Sequence, residues 1–218
     1  MFLLLVCSAL LAAGAALECE VCYALNSNSC SGHYERCKTP QSRCMMTLTE
    51  KSLKDEKGEM TSAVLEKSCG SVYDCSHPAT LTTEEFHVRV TTMCCNTDFC
   101  NNGTMYKSKG LNSTINGVTC LSCFEKNSQT CEVKKNIDCT GDEKHCVHYQ
   151  ATREGGGAIT VAGCASESME RSKGGAAFRG SSVSIQDMSN KNNGECLRDN
   201  GLLLPLLATL TIVAIYSQ

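Results

Sequence analysis

The sequence predicts an all-β, disulfide-rich fold made of two tandem copies of one small domain, the second copy incomplete. Three observations carry this. The 218 residues include 18 cysteines and no tryptophan, a density near that of disulfide scaffolds and well above cytosolic usage. The cysteines also recur in register. Cys19, Cys22, Cys30, Cys37 and Cys44 are followed 101, 101, 101, 102 and 102 residues later by Cys120, Cys123, Cys131, Cys139 and Cys146, the mark of a duplicated unit. Between the cysteines the chain alternates apolar and polar residues with a period of two, and no long helical period occurs outside the two ends.

Met1 to Ala16 reads MFLLLVCSALLAAGAA, with no charged side chain. It is too short to span a bilayer, and Gly14 and Ala16 suit the −3 and −1 positions of signal cleavage. Residues 1–16 are read as a signal peptide that takes Cys7 with it and leaves Leu17 as the first mature residue.

The first copy occupies residues 17–101 and adds Cys69, Cys75, Cys94, Cys95 and Cys100 to the shared series. Met46 and Leu48 begin a strand that turns through Lys54-Asp55-Glu56-Lys57-Gly58 and returns through Ala63-Val64-Leu65. Thr83 to Thr92 reads as a half-buried strand, with Phe86, Val88 and Val90 on one face and His87, Arg89 and Thr91 on the other. A linker follows over residues 102–118. It carries the sequons Asn102-Gly103-Thr104 and Asn112-Ser113-Thr114, so Asn102 and Asn112 are expected to be glycosylated.

The second copy occupies residues 119–192. Val147–Thr152 and Ala158–Ala162 flank Arg153-Glu154-Gly155-Gly156-Gly157, whose glycines supply the positive φ angles of a tight hairpin. A phosphate-cradling loop would need a strand–G-x-x-x-x-G-K–helix order that is missing here. Cys164 trails Cys69 by only 95 residues, so the loop before it is shorter.

Residues 193–218 form a hydrophobic tail. Its apolar run, Leu202 to Tyr216, is shorter than a membrane span, contains Pro205 and has no basic stop after it. Small polar residues, Ser189 to Gly194, and a short spacer precede it, as in a glycolipid-anchor signal. Asn192 is the preferred attachment site, with Asn190 and Asn193 as competitors. Cleavage there removes Cys196 and leaves ten cysteines in the first copy and six in the second, enough for eight bridges.

Hairpins this poor in apolar side chains need staples. A bridge closing about 26 residues contributes roughly 3.5 kcal/mol in the loop-entropy picture. Cysteine spacing alone leaves the pairing open.

The first series, C-x2-C-x7-C-x6-C-x6-C, then C-x5-C, Cys94-Cys95 and Cys100-Asn101, resembles the lymphocyte-antigen/urokinase-receptor family of three-finger domains. The tandem layout is most similar to gamma-type phospholipase A2 inhibitors and their amphibian and fish relatives. Cys37-Lys-Thr-Pro-Gln-Ser-Arg-Cys44, Cys139-Thr-Gly-Asp-Glu and Gly163-Cys164-Ala165-Ser166 fit the same pattern, over Leu17 to Ser168. The resemblance implies the pairs Cys19–Cys44, Cys22–Cys30, Cys37–Cys69, Cys75–Cys94 and Cys95–Cys100, then Cys120–Cys146, Cys123–Cys131 and Cys139–Cys164. It implies fingers over Cys19–Cys37, Cys44–Cys69 and Cys75–Cys94, and gives Asn101 a structural role tying the closing strand to the base. The second copy departs from the pattern. Met169-Glu170 stands near an expected cysteine, the later Cys-Cys and Cys-Asn are missing, and Ser172 to Ser182 is rich in Ser and Gly around Lys173, Phe178 and Arg179. A stable third finger is not expected there.

Chemistry is sparse. A net charge of −3 gives no basic face for nucleic acid. His33, His77, His87, His145 and His148 are scattered, and His145 and His148 point to opposite faces of one strand, a poor metal pair. No G-x-S-x-G elbow occurs, the C-x-x-C pairs conflict with zinc or redox use in a secreted chain, and bridged cysteines are not nucleophiles. No catalytic residue, metal or cofactor is assigned. Lys51 to Lys57 reads as a solvated fingertip of mixed charge. The expected function is non-enzymatic, extracellular protein binding. The resemblance implies phospholipase A2 inhibition by masking; the alternatives are a glycolipid-anchored receptor or adhesion protein on the outer leaflet, and a secreted pheromone-precursor-like signal.

Overall fold

In the computed structural model the described residues are 16–39, 42–75, 78–106, 112–132, 135–153, 155–175, 177–179 and 181–185. Residues 1–15 of the expected leader, His77, Glu154, the anchor candidates Asn190, Asn192 and Asn193, and Cys196 with the tail lie outside them. Repeat 1 comprises β1 (Glu18–Leu25), β2 (His33–Arg36), β3 (Ser42–Asp55), β4 (Gly58–Ser71), a 3-10 turn (Val72–Asp74), β5 (Ala79–Thr82) and β6 (Phe86–Cys95). Repeat 2 comprises β7 (Ile115–Lys126), β8 (Lys135–Thr140), β9 (His145–Arg153), β10 (Ala158–Ala165), a short helix α1 (Glu167–Arg171) and β11 (Ser181–Ile185).

The two repeats share one pairing scheme. β4 pairs with β3 and β1, and β10 pairs with β9 and β7 in the same antiparallel sense. Cys44 faces Cys69 in the first hairpin, as Cys146 faces Cys164 in the second. β6 flanks β3, and β11 flanks β9. The sheet runs β11-β9-β10-β5-β6-β3-β4-β1-β2, with β7 and β8 off this path. The repeats are therefore joined edge to edge, β5 of the first against β10 of the second.

Local chemistry explains the turns. Asp55 Oδ1 accepts the Lys57 N–H at 2.8 Å and closes the β3–β4 hairpin. Gly155, Gly156 and Gly157 take φ of +93°, +98° and +96°, as the triple glycine predicts. The strand expected from Thr83 begins only at Phe86. Thr83 is a turn residue whose Oγ1 accepts the N–H groups of Glu85 and Phe86 at 3.2 and 2.8 Å, the hydroxyl competing with the ladder for backbone donors. From Phe86 the alternation holds: Phe86, Val88 and Val90 are buried, and His87, Arg89 and Thr91 are half-buried.

After Cys164, where no stable third finger is expected, the described residues are packed. Met169, Ala177 and Phe178 are buried, and β11 adds to β9 along five register pairs. Ser166 caps α1, accepting the Met169 N–H. Burial and the nearby Glu170 carboxylate push the Tyr149 phenol up to about 12, and this hydroxyl donates to the Met169 carbonyl at 3.2 Å. Apolar burial here replaces the missing cysteines.

The largest apolar cluster belongs to neither repeat alone. It joins Leu81, Phe86 and Val88 to Phe124, Val161 and Phe178. The Phe86 and Phe124 rings stack at 4.6 Å with an interplanar angle of 12°. Repeat 1 has a smaller cluster of its own, Met46, Leu48, Ala63, Leu65 and Met105. Met105 reaches it from the segment read as linker. Two further clusters consist chiefly of cystines at the base of each repeat.

Candidate binding surface

The structure pairs Cys19–Cys44, Cys22–Cys30, Cys37–Cys69, Cys75–Cys94 and Cys95–Cys100 in repeat 1. In repeat 2 it pairs Cys120–Cys146, Cys123–Cys131 and Cys139–Cys164. The sulfurs of Cys19, Cys37 and Cys69 crowd together, as do those of Cys120, Cys139 and Cys164. As cystines they offer no thiolate to a metal. Asn101 is fully buried: its Oδ1 accepts the Glu20 N–H, and its Nδ2 donates to the carbonyls of Glu20 and Met45. It thereby ties β1 to β3 from the closing loop.

The joint between repeats is a polar ladder over an apolar floor. Cys164 and Ala165 of β10 face Thr82 and Leu81 of β5. Ser166 then exchanges two bonds with Thr80, its N–H donating to the Thr80 carbonyl at 3.0 Å and its Oγ accepting the Thr80 N–H at 2.9 Å. Thr82 Oγ1 donates to Glu143 Oε1 at 2.7 Å and lies 2.8 Å from His87 Nδ1. Ser122 Oγ accepts the Glu84 N–H at 2.9 Å, and Lys135 pairs with Glu84 at the rim. Apart from Thr82 with His87, none of these contacts is legible as a pattern in the sequence, because each unites residues tens of positions apart that read singly as ordinary strand polars.

Beside this joint a cleft of about 700 Å³ opens. Met45, Gly70 and Tyr73 of repeat 1 face Phe178, Arg179 and Ser181 of repeat 2 across it. Arg179 Nη1 donates to Glu66 Oε2 at 3.1 Å, a link between repeats at the cleft wall. Large aromatic groups are exposed: Tyr23, Tyr34 and Tyr73 of repeat 1 and Tyr106 of the linker are 62, 52, 89 and 79 % exposed. Tyr34 meets Phe99 edge to face at 4.8 Å.

The remaining candidates fall elsewhere. Asn102 and Asn112 are both on the surface. At the finger-two tip, Lys54 to Lys57 are exposed, whereas Lys51 is half-buried and Leu53 packs against the shared core. Burial first and Arg153 second hold the Lys51 ammonium below its ordinary value. His145 Nδ1 lies 2.7 Å from Glu170 Oε2 and holds α1 against β9. His33 is exposed on β2.

Burial lowers the pKa of His87 and of His148 from the ordinary 6.5, with Arg89 adding to the effect at His87 and Glu59 opposing it. Below pH 6.5 the unfolded chain therefore takes up protons that the folded chain resists, and stability falls. Burial raises the Glu143 carboxyl, partly offset by hydrogen bonds from Thr82 and Thr80. That group has the opposite sign: its penalty is present at neutral pH and is relieved as pH falls through the raised value. The thermal midpoint is expected to drop between pH 7.5 and 5.5, and His87→Gln with His148→Gln to flatten that slope. An unaltered slope in the double variant would remove the histidines as its cause.

The u-PAR/Ly-6 domain family matches residues 15–103 and 116–196. The chain is 28 % identical over 159 residues to the urokinase plasminogen activator surface receptor of Bos taurus, covering 70 % of this chain and 46 % of the receptor. It thus spans about half the length of that relative. It is 27 % identical to phospholipase A2 inhibitor NAI of Notechis ater and 28 % identical to a gamma-type phospholipase A2 inhibitor of Gloydius brevicaudus siniticus, covering 73 % of this chain and 78 % of each inhibitor. Among solved structures it is similar to mouse TEX101 at 18 % identity and a TM-score of 0.31, over 67 % of this chain and 83 % of that one.

Proposed function

The chain belongs to the u-PAR/Ly-6 domain family, and from that premise we propose that it is a non-enzymatic extracellular binding protein that acts by covering the surface of a protein partner. The observation that carries this reading is the exposed aromatic set on a cross-linked frame. Three tyrosines of repeat 1 and one of the linker stand 52–89 % exposed, and rigid aromatic side chains give contact area at small entropic loss. The frame that presents them is held by eight disulfides.

Secreted phospholipase A2 is the partner class we propose, because the inhibitor relatives are covered over most of their length by the same two repeats. Masking needs no catalytic group, only a surface that blocks substrate approach. Titrating purified protein into secreted phospholipase A2 on mixed micelles is expected to abolish hydrolysis near equimolar ratio at micromolar concentration. Full activity at large excess rules this partner out and leaves the general binding reading standing.

One observation favours a second reading. The apolar run Leu202–Tyr216 behind the small polar residues Ser189–Gly194 suits exchange for a glycolipid anchor at Asn192, or at Asn190 or Asn193, which makes the chain a surface receptor. Phosphatidylinositol-specific phospholipase C is then expected to release it from expressing cells. Protein found only in untreated medium, with a mature peptide containing Cys196, argues against the anchor.

A further inference from the structure

We infer that the outer edge of β4 at Ser68–Ser71 is a strand-acceptor edge that Ser68 and Asp74 hold shut against a second copy of this chain. The corresponding edge in repeat 2 is the one that takes up β5. The correspondence is fixed twice over. Cys69 and Cys164 face Cys44 and Cys146 across their hairpins, and they bridge to Cys37 and Cys139. Ser68, Gly70 and Ser71 therefore stand where repeat 2 has Gly163, Ala165 and Ser166.

The same local sequence, cysteine, a small residue and serine, is used in two ways. In repeat 2 the Ser166 N–H and Oγ both engage Thr80 of the incoming strand. In repeat 1 the Ser71 N–H donates to Asp74 Oδ2 at 2.9 Å, and Ser71 Oγ accepts the Tyr73 N–H at 3.3 Å. The serine Oγ caps the following turn in both repeats, Ser166 Oγ also accepting the Met169 N–H at 3.4 Å; the difference lies in the N–H, which Asp74 holds in repeat 1. Three residues after the serine, repeat 2 carries Met169, which has no carboxylate and lies in the shared core. Asp74 thus occupies the donor that a partner strand's carbonyl would need.

Ser68 adds a steric block. A Cβ placed on Gly163 would lie 2.1 Å from the Thr82 carbonyl oxygen and 3.2 Å from Thr83 Cγ2. Glycine is what lets β5 approach, and Ser68 carries the Cβ that forbids it. A strand seated on repeat 1 as β5 is seated on repeat 2 would meet that atom and find the Ser71 donor already taken.

The partner shut out is another molecule of the same kind. The joint is heterologous, a donor edge meeting a different acceptor edge. An acceptor on both repeats would let molecules add head to tail without closing. A second copy also brings a suitable strand. β11 reads Ser-Ser-Val-Ser-Ile, has neither charge nor proline, and pairs only with β9 among the described residues. Exposed edges of that kind are ones natural sheets guard against.

The test uses the full mature chain in sedimentation velocity over a wide concentration range. Wild type is expected to remain monomeric, and the double variant Ser68→Gly, Asp74→Ala to self-associate with a dissociation constant at least roughly ten-fold tighter. In Asp74→Ala the Ser71 amide is expected to exchange hydrogen roughly ten-fold faster. Gly163→Ser, which moves the guard into repeat 2, is expected to strip protection from the Thr80 amide. Intact mass before and after reduction verifies the eight bridges in each variant. A monomeric double variant, wild type that associates equally, or undiminished Thr80 protection in Gly163→Ser overturns the inference.

Discussion

Gly163→Ala is expected to part the two repeats while leaving each cross-linked hairpin set intact. The added Cβ would stand 2.1 Å from the Thr82 carbonyl oxygen and 3.0 Å from its carbon. Both sides of that clash are backbone, so no rotamer change relieves it, and β5 must move off β10. Such overpacking destabilises by about 1–3 kcal/mol, and the upper end applies because the displacement also breaks the two bonds between Ser166 and Thr80. The stacked Phe86 and Phe124 rings would separate as well. The measurement is chemical denaturation with disulfides intact, read beside hydrogen exchange at Thr80 and Leu81. Loss of protection at the joint with retained protection in β3 and β9 is the expected pattern. Wild-type exchange at Thr80 would show that the joint tolerates the methyl group and that Gly163 does not govern it.

What the sequence disclosed and what it hid divide by range. The duplication was legible because cysteine spacing is counted along the chain, and the alternation of Phe86, Val88 and Val90 because a strand's faces repeat every two residues. Thr83 misled because a hydroxyl that can bond its own backbone reads, in isolation, like any β-branched strand former. The shared core stayed hidden for another reason. Phe86 and Phe124 each look like half-buried residues of their own repeat, and only the pairing of β5 with β10 brings them together. Gly163 and Ser166 were visible as a local motif, yet their work is done on a strand some eighty residues earlier. The packing after Cys164 was hidden among serines and glycines that suggest no stable third finger, yet three apolar side chains there, Met169, Ala177 and Phe178, are buried.

Lys67→Ala is the substitution in repeat 1 expected to be most damaging, at about 3–5 kcal/mol, because it would leave a buried carboxylate without its cation. Lys67 and Glu20 are 1 and 5 % exposed, and Lys67 Nζ donates to Glu20 Oε2 at 2.8 Å and to the Cys30 carbonyl at 3.0 Å. Glu20 Oε1 would keep only the Gly32 N–H, at 3.2 Å. The protein itself contains the compensated alternative. Lys67 faces Cys22 across β1 and β4, and Ala162 faces Cys123 across β7 and β10; two residues before each of those cysteines stand Glu20 and Leu121. Repeat 2 thus builds the same crossing with Leu121 and Ala162, and no charge. Glu20→Leu combined with Lys67→Ala is therefore expected to recover most of the lost stability, since replacing both partners by apolar groups removes the desolvation penalty together with the attraction. Asn101 holds Glu20 by its backbone N–H and carbonyl rather than by its side chain, so the register of β1 survives the exchange. Denaturation midpoints of the wild type, both single variants and the pair form a closed cycle. A double variant no more stable than Lys67→Ala would mean that the lysine acts through its packing and its bond to Cys30, not through the carboxylate it neutralises.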